Sequence, residues 1–208
     1  MVLAHDAVVL AGGTGRRLGG VLKPQVEVGG RRLLDHVLDA TAGASRVVVV
    51  APEAVPVPDG VVRTLEDPPH GGPVAGIAAG LHALGEGEAL VLVLACDLPG
   101  AAAAVPRLLA AAPGPLAAGA DAVVLSDEDG RDQWLLGLYT RAALERSVAD
   151  LDAAGGLRGA PVRALVRPLR LAAVAARRGE VRDIDTWADH ADYRRENTGR
   201  NSVRNSGG

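Results

Sequence analysis

The sequence predicts an α/β fold, a doubly wound sheet with helices packed on it, from three observations. Short apolar runs recur along the first half of the chain: "DAVVLA" at 6–11, "RVVVVA" at 46–51 and "ALVLVLAC" at 89–96. Their apolarity is continuous rather than alternating, which suits strands buried on both faces. Between them lie segments with the apolar period of helices, and alternating strand and helix builds a doubly wound sheet. Ligands of such sheets sit beyond the carboxyl ends of the strands, so the loops after residues 10, 50, 66 and 95 are expected to carry function.

The elements follow in order. The run at 6–11 leads straight into "LAGGTGRRLGGVLKP" (10–24). Over 33–42, Leu34, Val37, Leu38 and Thr41 share one helical face, and Gly43 supplies a stop. "VRTLED" (62–67) reads as a strand ending in acid. Over 74–84, Val74, Ile77, Leu81 and Leu84 form the next apolar face, with Pro73 suited to the first turn and Gly85 to the end. Pro106 is expected to open another helix, with Leu108 and Leu109 facing inward. "DAVVLS" (121–126) and "QWLLGLY" (133–139) read as two strands joined by "DEDGRD", a turn containing Asp-Gly. Helices are expected over about 140–152 and 157–166, a late strand over 169–174, and a final helix in "DTWADHADY" (185–193). Residues 1–194 form one expected domain. The remainder, 195–208, has almost no apolar residue and is expected to be a disordered tail.

Composition narrows the function classes. With 48% hydrophobic residues the chain can bury a core, and with no Phe that core must be built from small aliphatic side chains. A formal net charge of −3 argues against a general nucleic-acid binder. The single cysteine, Cys96, excludes an internal disulfide and fits a reducing compartment. His5 and Asp6 interrupt the start, so no secretory signal is read there, and no apolar run approaches the length of a membrane span. A soluble cytoplasmic protein, with no membrane partner, is the expectation.

The glycine-rich loop admits three readings. A Walker loop requires Gly-Lys-Ser/Thr, and no Gly-Lys pair exists here. A dinucleotide fingerprint is closer: Gly13, Gly15 and Gly19 give G-x-G-x-x-x-G, one residue longer than the commoner spacing. Such a loop should open a long amphipathic helix at once, and the Arg-Arg, Gly-Gly, Lys-Pro and second Gly-Gly of 16–30 oppose one. The third reading is a triphosphate site. Glycines let backbone N–H groups approach phosphate oxygens, and Arg16, Arg17 and Lys23 add positive charge. The competing account of the arginines is surface charge on a loop.

The stretch "LAGGTGRRLGG...KP" resembles the signature loop of the nucleotidyltransferase superfamily, and is most similar to that of the molybdenum cofactor guanylyltransferases. "EDPPHGGPVAGIAAGL" (66–81), "LACDLP" (94–99) and "DIDTWADH" (183–190) are similar to further segments of that family, in the same order, so the likeness covers roughly residues 6–190. It implies a Rossmann-like three-layer α/β/α sandwich of the nucleotide-diphospho-sugar-transferase type. It also implies a reaction that joins GTP to molybdopterin with release of pyrophosphate, Mg²⁺ as cofactor, and other molybdenum cofactor biosynthesis proteins as partners.

Carried onto this sequence, the resemblance implies nucleotide contacts from Leu10, Ala11, Gly12, Gly13, Gly15, Arg16, Lys23, Asp67, Gly72 and Asp97. Arg17 (or Arg16), Lys23 and Asp97 would be the catalytic groups. Asp97 ends an apolar run before Pro99 and is the expected Mg²⁺ ligand; the alternative is a turn-forming Asp. Asp67 belongs by the resemblance to the nucleotide pocket, and its alternative is likewise a turn-forming Asp. Asp183 and Asp185 would share a side of an extended segment, where they would complete the metal site or touch the acceptor, unless Asp185 caps the helix that follows. Cys96 reads as a buried thiol rather than a nucleophile. "DEDG" lacks the distal acid of a calcium loop and reads as a turn. Two departures stand out: Val50, Ala51 and Pro52 lie where many relatives carry an Asn, and Gln133-Trp134 replaces a more usual Gln-Pro. Two other outcomes stay open: the same class of enzyme acting on CTP or a sugar phosphate, and an NAD(P)-type nucleotide binder.

Overall fold

A computed structural model of the chain describes residues 3–13, 21–193 and 195. Arg16, Arg17 and Gly15, and nearly all of the expected tail, lie outside the described residues. The strands are β1 (Asp6–Leu10), β2 (Glu27–Val28), β3 (Arg31–Arg32), β4 (Val47–Val50), β5 (Val62–Thr64), β6 (Leu90–Ala95), β7 (Ala122–Ser126), β8 (Asp132–Thr140) and β9 (Leu171–Ala175). The helices are α1 (Leu33–Asp39), α2 (Pro73–Leu84), α3 (Ala101–Ala111), α4 (Pro113–Ala117), α5 (Arg141–Gly155) and α6 (Val162–Val166), followed by a closing helix over 187–193.

Seven strands form one sheet in the order β5-β4-β1-β6-β8-β7-β9, and β2 pairs with β3 in a separate ribbon. The half β5-β4-β1-β6 is parallel, as the continuous apolar runs predict. The other half is mixed. β8 is antiparallel to both β6 and β7, because the 126–132 hairpin turns the chain back into the gap between them. Asp127 shapes that turn: its Oδ1 accepts the N–H groups of Asp129 and Arg131.

Each central strand feeds both faces of the sheet. Ala7, Val9, Leu92 and Leu94 pack with Leu34 and Val37 of α1 and with Ala104, Val105 and Leu108 of α3. Val8, Val91 and Val93 pack on the other face with Val74, Ile77 and Leu81 of α2, Leu144 of α5 and Leu165 of α6. The result is the expected three-layer sandwich, cored by Val, Leu and Ala. The layers are close: a Cβ on Gly80 of α2 would lie 2.5 Å from Val8 Cγ1, so only glycine lets that helix rest on β1.

Three expected boundaries are corrected. Pro106 does not open a helix; it lies inside α3, which begins at Ala101 because the alanine run 101–104 favours helix more than Pro106 opposes it in the second turn. The helix expected over 157–166 is only Val162–Val166, since Gly159 has φ +72 and Pro161 fixes the N-cap. The strand expected to reach 67 stops at Thr64, and 65–72 is a loop.

Candidate active site

β1 and β6 are parallel neighbours, so Leu10 and Ala95 end at the same edge of the sheet. The Ala11 N–H donates to Val50 O at 2.8 Å and the Cys96 N–H to Leu10 O at 3.0 Å, which fixes where Gly12 and Asp97 leave the sheet. The chain returns to this edge in a single 3-10 turn, Lys23–Gln25, with Pro24 in its first positions. The Lys23 stem passes over Gly13, close enough that a Cβ there would touch it at an ordinary van der Waals distance of 3.7 Å. The buried Lys23 then donates from Nζ to Asp97 Oδ2 at 2.7 Å and to Asp185 Oδ1. Burial by itself would lower the ammonium's pKa, but the charges and hydrogen bonds of Asp97 and Asp185 outweigh it and raise the value.

Asp185 arrives there from 88 residues further along the chain than Asp97, guided by a small apolar cluster. Ile184 is fully buried with Val26, Val28 and Leu33, and its N–H donates to Asp97 O at 3.0 Å. The capping question raised by the sequence is answered by Thr186, not Asp185. Thr186 and Asp189 form a reciprocal cap, in which the Asp189 carboxylate accepts the Thr186 N–H at 2.8 Å and the Thr186 hydroxyl accepts the Asp189 N–H at 3.2 Å. The Asp185 side chain is therefore available to Lys23. Burial, followed by the charges of Asp185 and Asp97, pushes the neighbouring Asp183 carboxyl above the usual range.

A cavity of about 490 Å³ opens over this edge. Of the residues expected at a nucleotide, Leu10, Gly12, Gly13, Lys23, Gly72 and Asp97 line it. Ala11 is buried beneath it. Asp67 is exposed and does not line it; its neighbour Glu66 does, together with His70, Val50, Cys96 and Leu135. Nothing in the sequence separates Glu66 from Asp67, because both acids end the same run, and only the course of the loop after Thr64 decides which one lines the cavity. Burial pushes the Cys96 thiol far up, so it is an apolar part of the wall. A second cleft, of about 460 Å³, lies on the Asp183 side, and its lining mixes arginines such as Arg131 and Arg177 with acids such as Asp127 and Glu128.

Among the described residues, no three His, Cys, Asp or Glu side chains are grouped to hold a metal ion by themselves. The donor set nevertheless fits a hard divalent ion. Asp97 and Asp185 already converge on one cationic group, the Lys23 ammonium, and Mg²⁺ bound to a triphosphate usually takes only one or two protein carboxylates.

A parallel half-sheet with a glycine loop, a buried lysine and a strand-end aspartate at one edge is the arrangement of a nucleotidyltransferase, and the comparisons agree. The chain matches the MobA-like NTP transferase domain over residues 7–174. It is 38% identical over 190 residues to a protein of Acidiphilium cryptum (strain JF-5) named molybdenum cofactor guanylyltransferase, covering 88% of this chain and 90% of that one. Its fold matches molybdopterin-guanine dinucleotide biosynthesis protein A from Archaeoglobus fulgidus with a TM-score of 0.68 at 20% identity, over 93% of this chain and 99% of that one. It also matches a Mycobacterium tuberculosis H37Rv protein solved in complex with manganese, with a TM-score of 0.64 at 20% identity, over 91% and 97% of the two chains. The chain belongs to the MobA-like NTP transferase domain family and is a nucleotidyltransferase, which sets aside the dinucleotide reading of the loop. Among the described residues no helix is long and apolar enough to cross a membrane.

Proposed function

We propose that this enzyme transfers GMP from GTP to the terminal phosphate of molybdopterin and releases pyrophosphate. The observation that carries the reading is the Lys23 ammonium seated between Asp97 and Asp185 at the mouth of the nucleotide cavity. The name of the Acidiphilium relative supports guanine as the base and the pterin as acceptor. A phosphate oxygen of the acceptor attacks the α-phosphorus of GTP in line, a new P–O bond forms, and the bond to the β-phosphate breaks. The acceptor phosphate is already ionised, so no general base is needed, and none of the histidines is required as one.

Catalysis then rests on alignment and on neutralising charge as it moves to the leaving pyrophosphate. The N–H groups of Gly12 and Gly13 approach the phosphates from one side. Lys23 turns from the carboxylates to the triphosphate when the nucleotide enters, and Arg16 and Arg17 belong to the same loop. Asp97, with Asp185 beside it, would hold Mg²⁺, which would supply further charge neutralisation at the phosphates. The manganese complex of a relative in fold is in keeping with a divalent ion.

The test is pyrophosphate release measured with each of the four NTPs, with and without molybdopterin, in Mg²⁺. Release that requires both GTP and the pterin is expected. Release with CTP and the pterin, or with a sugar phosphate as acceptor, would replace the proposed substrates within the same enzyme class.

A further inference from the structure

The nucleotide cavity has two chemically different ends. Lys23 and Asp97 lie at the β6 end and Glu66 and His70 beyond β5, with Val50 of β4 forming an apolar wall between them. β5 and β6 are three strand steps apart, about 14 Å at the usual spacing of 4.8 Å. That separation suits a nucleotide whose α-phosphate lies at Lys23 and whose base lies beneath Glu66.

Glu66 is held in place. Its Oε1 accepts the Gly71 N–H at 3.1 Å, and Gly71 O in turn accepts the Gly159 N–H at 2.7 Å. Arg158 donates to the carbonyls of Pro68 and Pro69 at 3.1 and 3.2 Å, so the 66–72 loop is pinned from outside by the loop between α5 and α6. Gly71 could not be replaced without disturbing this: a Cβ there would lie 2.7 Å from Ala75 Cβ and 3.3 Å from the Glu66 side chain. The other polar groups expected at a base are missing from this end. Val50 is apolar, and Asp67 is exposed and is not among the residues that line the cavity. The 14–20 segment, TGRRLGG, contains no acid that could substitute. Among the described residues Glu66 is therefore the carboxylate that lines the base end, with His70 beside it.

We propose that Glu66, not Asp67, is the residue that selects the base, an inference that rests on the guanylyl reading above. An ionised carboxylate only accepts hydrogen bonds. The Watson–Crick edge of guanine presents two adjacent donors, N1–H and the N2 amino group, whereas adenine presents an acceptor at N1 and cytosine an acceptor at N3. Beyond the Gly71 N–H that Oε1 already accepts, a base without the donor pair gives the half-buried carboxylate no further donor, and sites built to bond a donor discriminate strongly against ligands that lack it.

The discriminating nucleotide is ITP, which keeps N1–H and lacks the N2 amino group. Steady-state pyrophosphate release with molybdopterin and Mg²⁺ is measured for GTP and ITP in the wild type, Glu66→Gln and Asp67→Asn. The wild type is expected to prefer GTP by about tenfold or more in kcat/KM. In Glu66→Gln, whose carbonyl can still accept the Gly71 N–H, KM for GTP should rise about tenfold and the GTP-to-ITP ratio should fall towards one. Asp67→Asn should leave both unchanged. A ratio taken within one preparation does not depend on how much of that preparation is folded, so a merely structural role for Glu66 would not move it. A wild-type ratio in Glu66→Gln overturns the assignment, as does loss of the ratio in Asp67→Asn. Wild-type turnover of CTP and not GTP is a different result: it removes the guanylyl reading itself, and this assignment with it.

Discussion

At the first residue of β1, Asp6 is fully buried and completely bonded: Arg46 reaches it at 3.2 and 2.8 Å, Arg141 at 2.6 Å and the Glu88 N–H at 3.0 Å. At the far end of the same strand, the single Lys23 ammonium is shared between Asp97 and Asp185, with Asp183 close enough to feel their charge. The first cluster is closed. Its guanidiniums also donate to the carbonyls of Leu84, Gly85 and Glu88, and a side chain on Gly87 would collide with Arg46 and with Asp6 itself. The second opens onto a cavity and brings carboxylates together around one positive charge, a place that gains from a further cation. Buried charge that is fully answered from within ties strands to loops; buried charge answered in part, at a cavity mouth, is where a charged ligand is received.

The comparison breaks most directly at Asp97. Asp97→Ala should reduce guanylyl transfer by about a thousand-fold in kcat while leaving the thermal unfolding midpoint near that of the wild type. Unchanged turnover in Mg²⁺ would remove Asp97 from the chemistry. Asp6→Ala should do the reverse. It leaves the largely buried Arg141 and the half-exposed Arg46 without their shared counter-charge, and breaking a buried cluster by removing one partner costs about 3 kcal/mol. Urea denaturation should show that loss, with activity per folded molecule unchanged. If Asp6→Ala lowered kcat and spared stability, the two ends would not differ in kind. Lys23→Ala lies between them. Loss of one charged donor to the triphosphate should weaken GTP binding by about 30-fold, or about 2 kcal/mol, and equal affinity in an equilibrium titration would exclude that role.

The same contrast explains how much could be read in advance. The parallel half of the sheet was legible because β1, β4 and β6 are buried on both faces, and their continuous Val and Leu runs are too short for anything but buried strands. Lys23 and Asp97 were legible as members of one site because each ends a recognisable segment. That they meet each other, and meet Asp185, depends on Ile184 entering the Val26–Val28–Leu33 cluster, a long-range contact with no local signature. The insertion of β8 between β6 and β7 escaped for the same reason, since a hairpin is evident locally but its place in the sheet is decided by the edge left free at β6. Asp6 drew notice only as a charge interrupting the N-terminus. Its partners, Arg46 and Arg141, lie 40 and 135 residues away, and no periodicity points to either. The choice between Glu66 and Asp67 was out of reach because adjacent residues differ only in the direction they face.

The smallest expected effect concerns pH and sharpens the account of the closed end. Burial would by itself raise the Asp6 pKa, but the hydrogen bonds from Arg46 and the Glu88 N–H, with the charges of Arg46 and Arg141, hold the carboxyl below the usual carboxylate range. A carboxyl depressed in the folded state contributes stability that is fully present above its unfolded pKa of about 3.9 and is lost as pH falls through the folded value. Asp6→Asn removes this titration while keeping the shape of the side chain. The stability difference between wild type and Asp6→Asn should therefore be largest and constant from about pH 6 upwards, begin to shrink near pH 4, and go on shrinking below it. Urea denaturation at pH 7, 5, 4 and 3 measures that difference directly. A difference that stays constant down to pH 3 would mean that Asp6 titrates alike in the folded and unfolded chains. The Arg46 and Arg141 contacts would then hold it by geometry, with no preference for its charge.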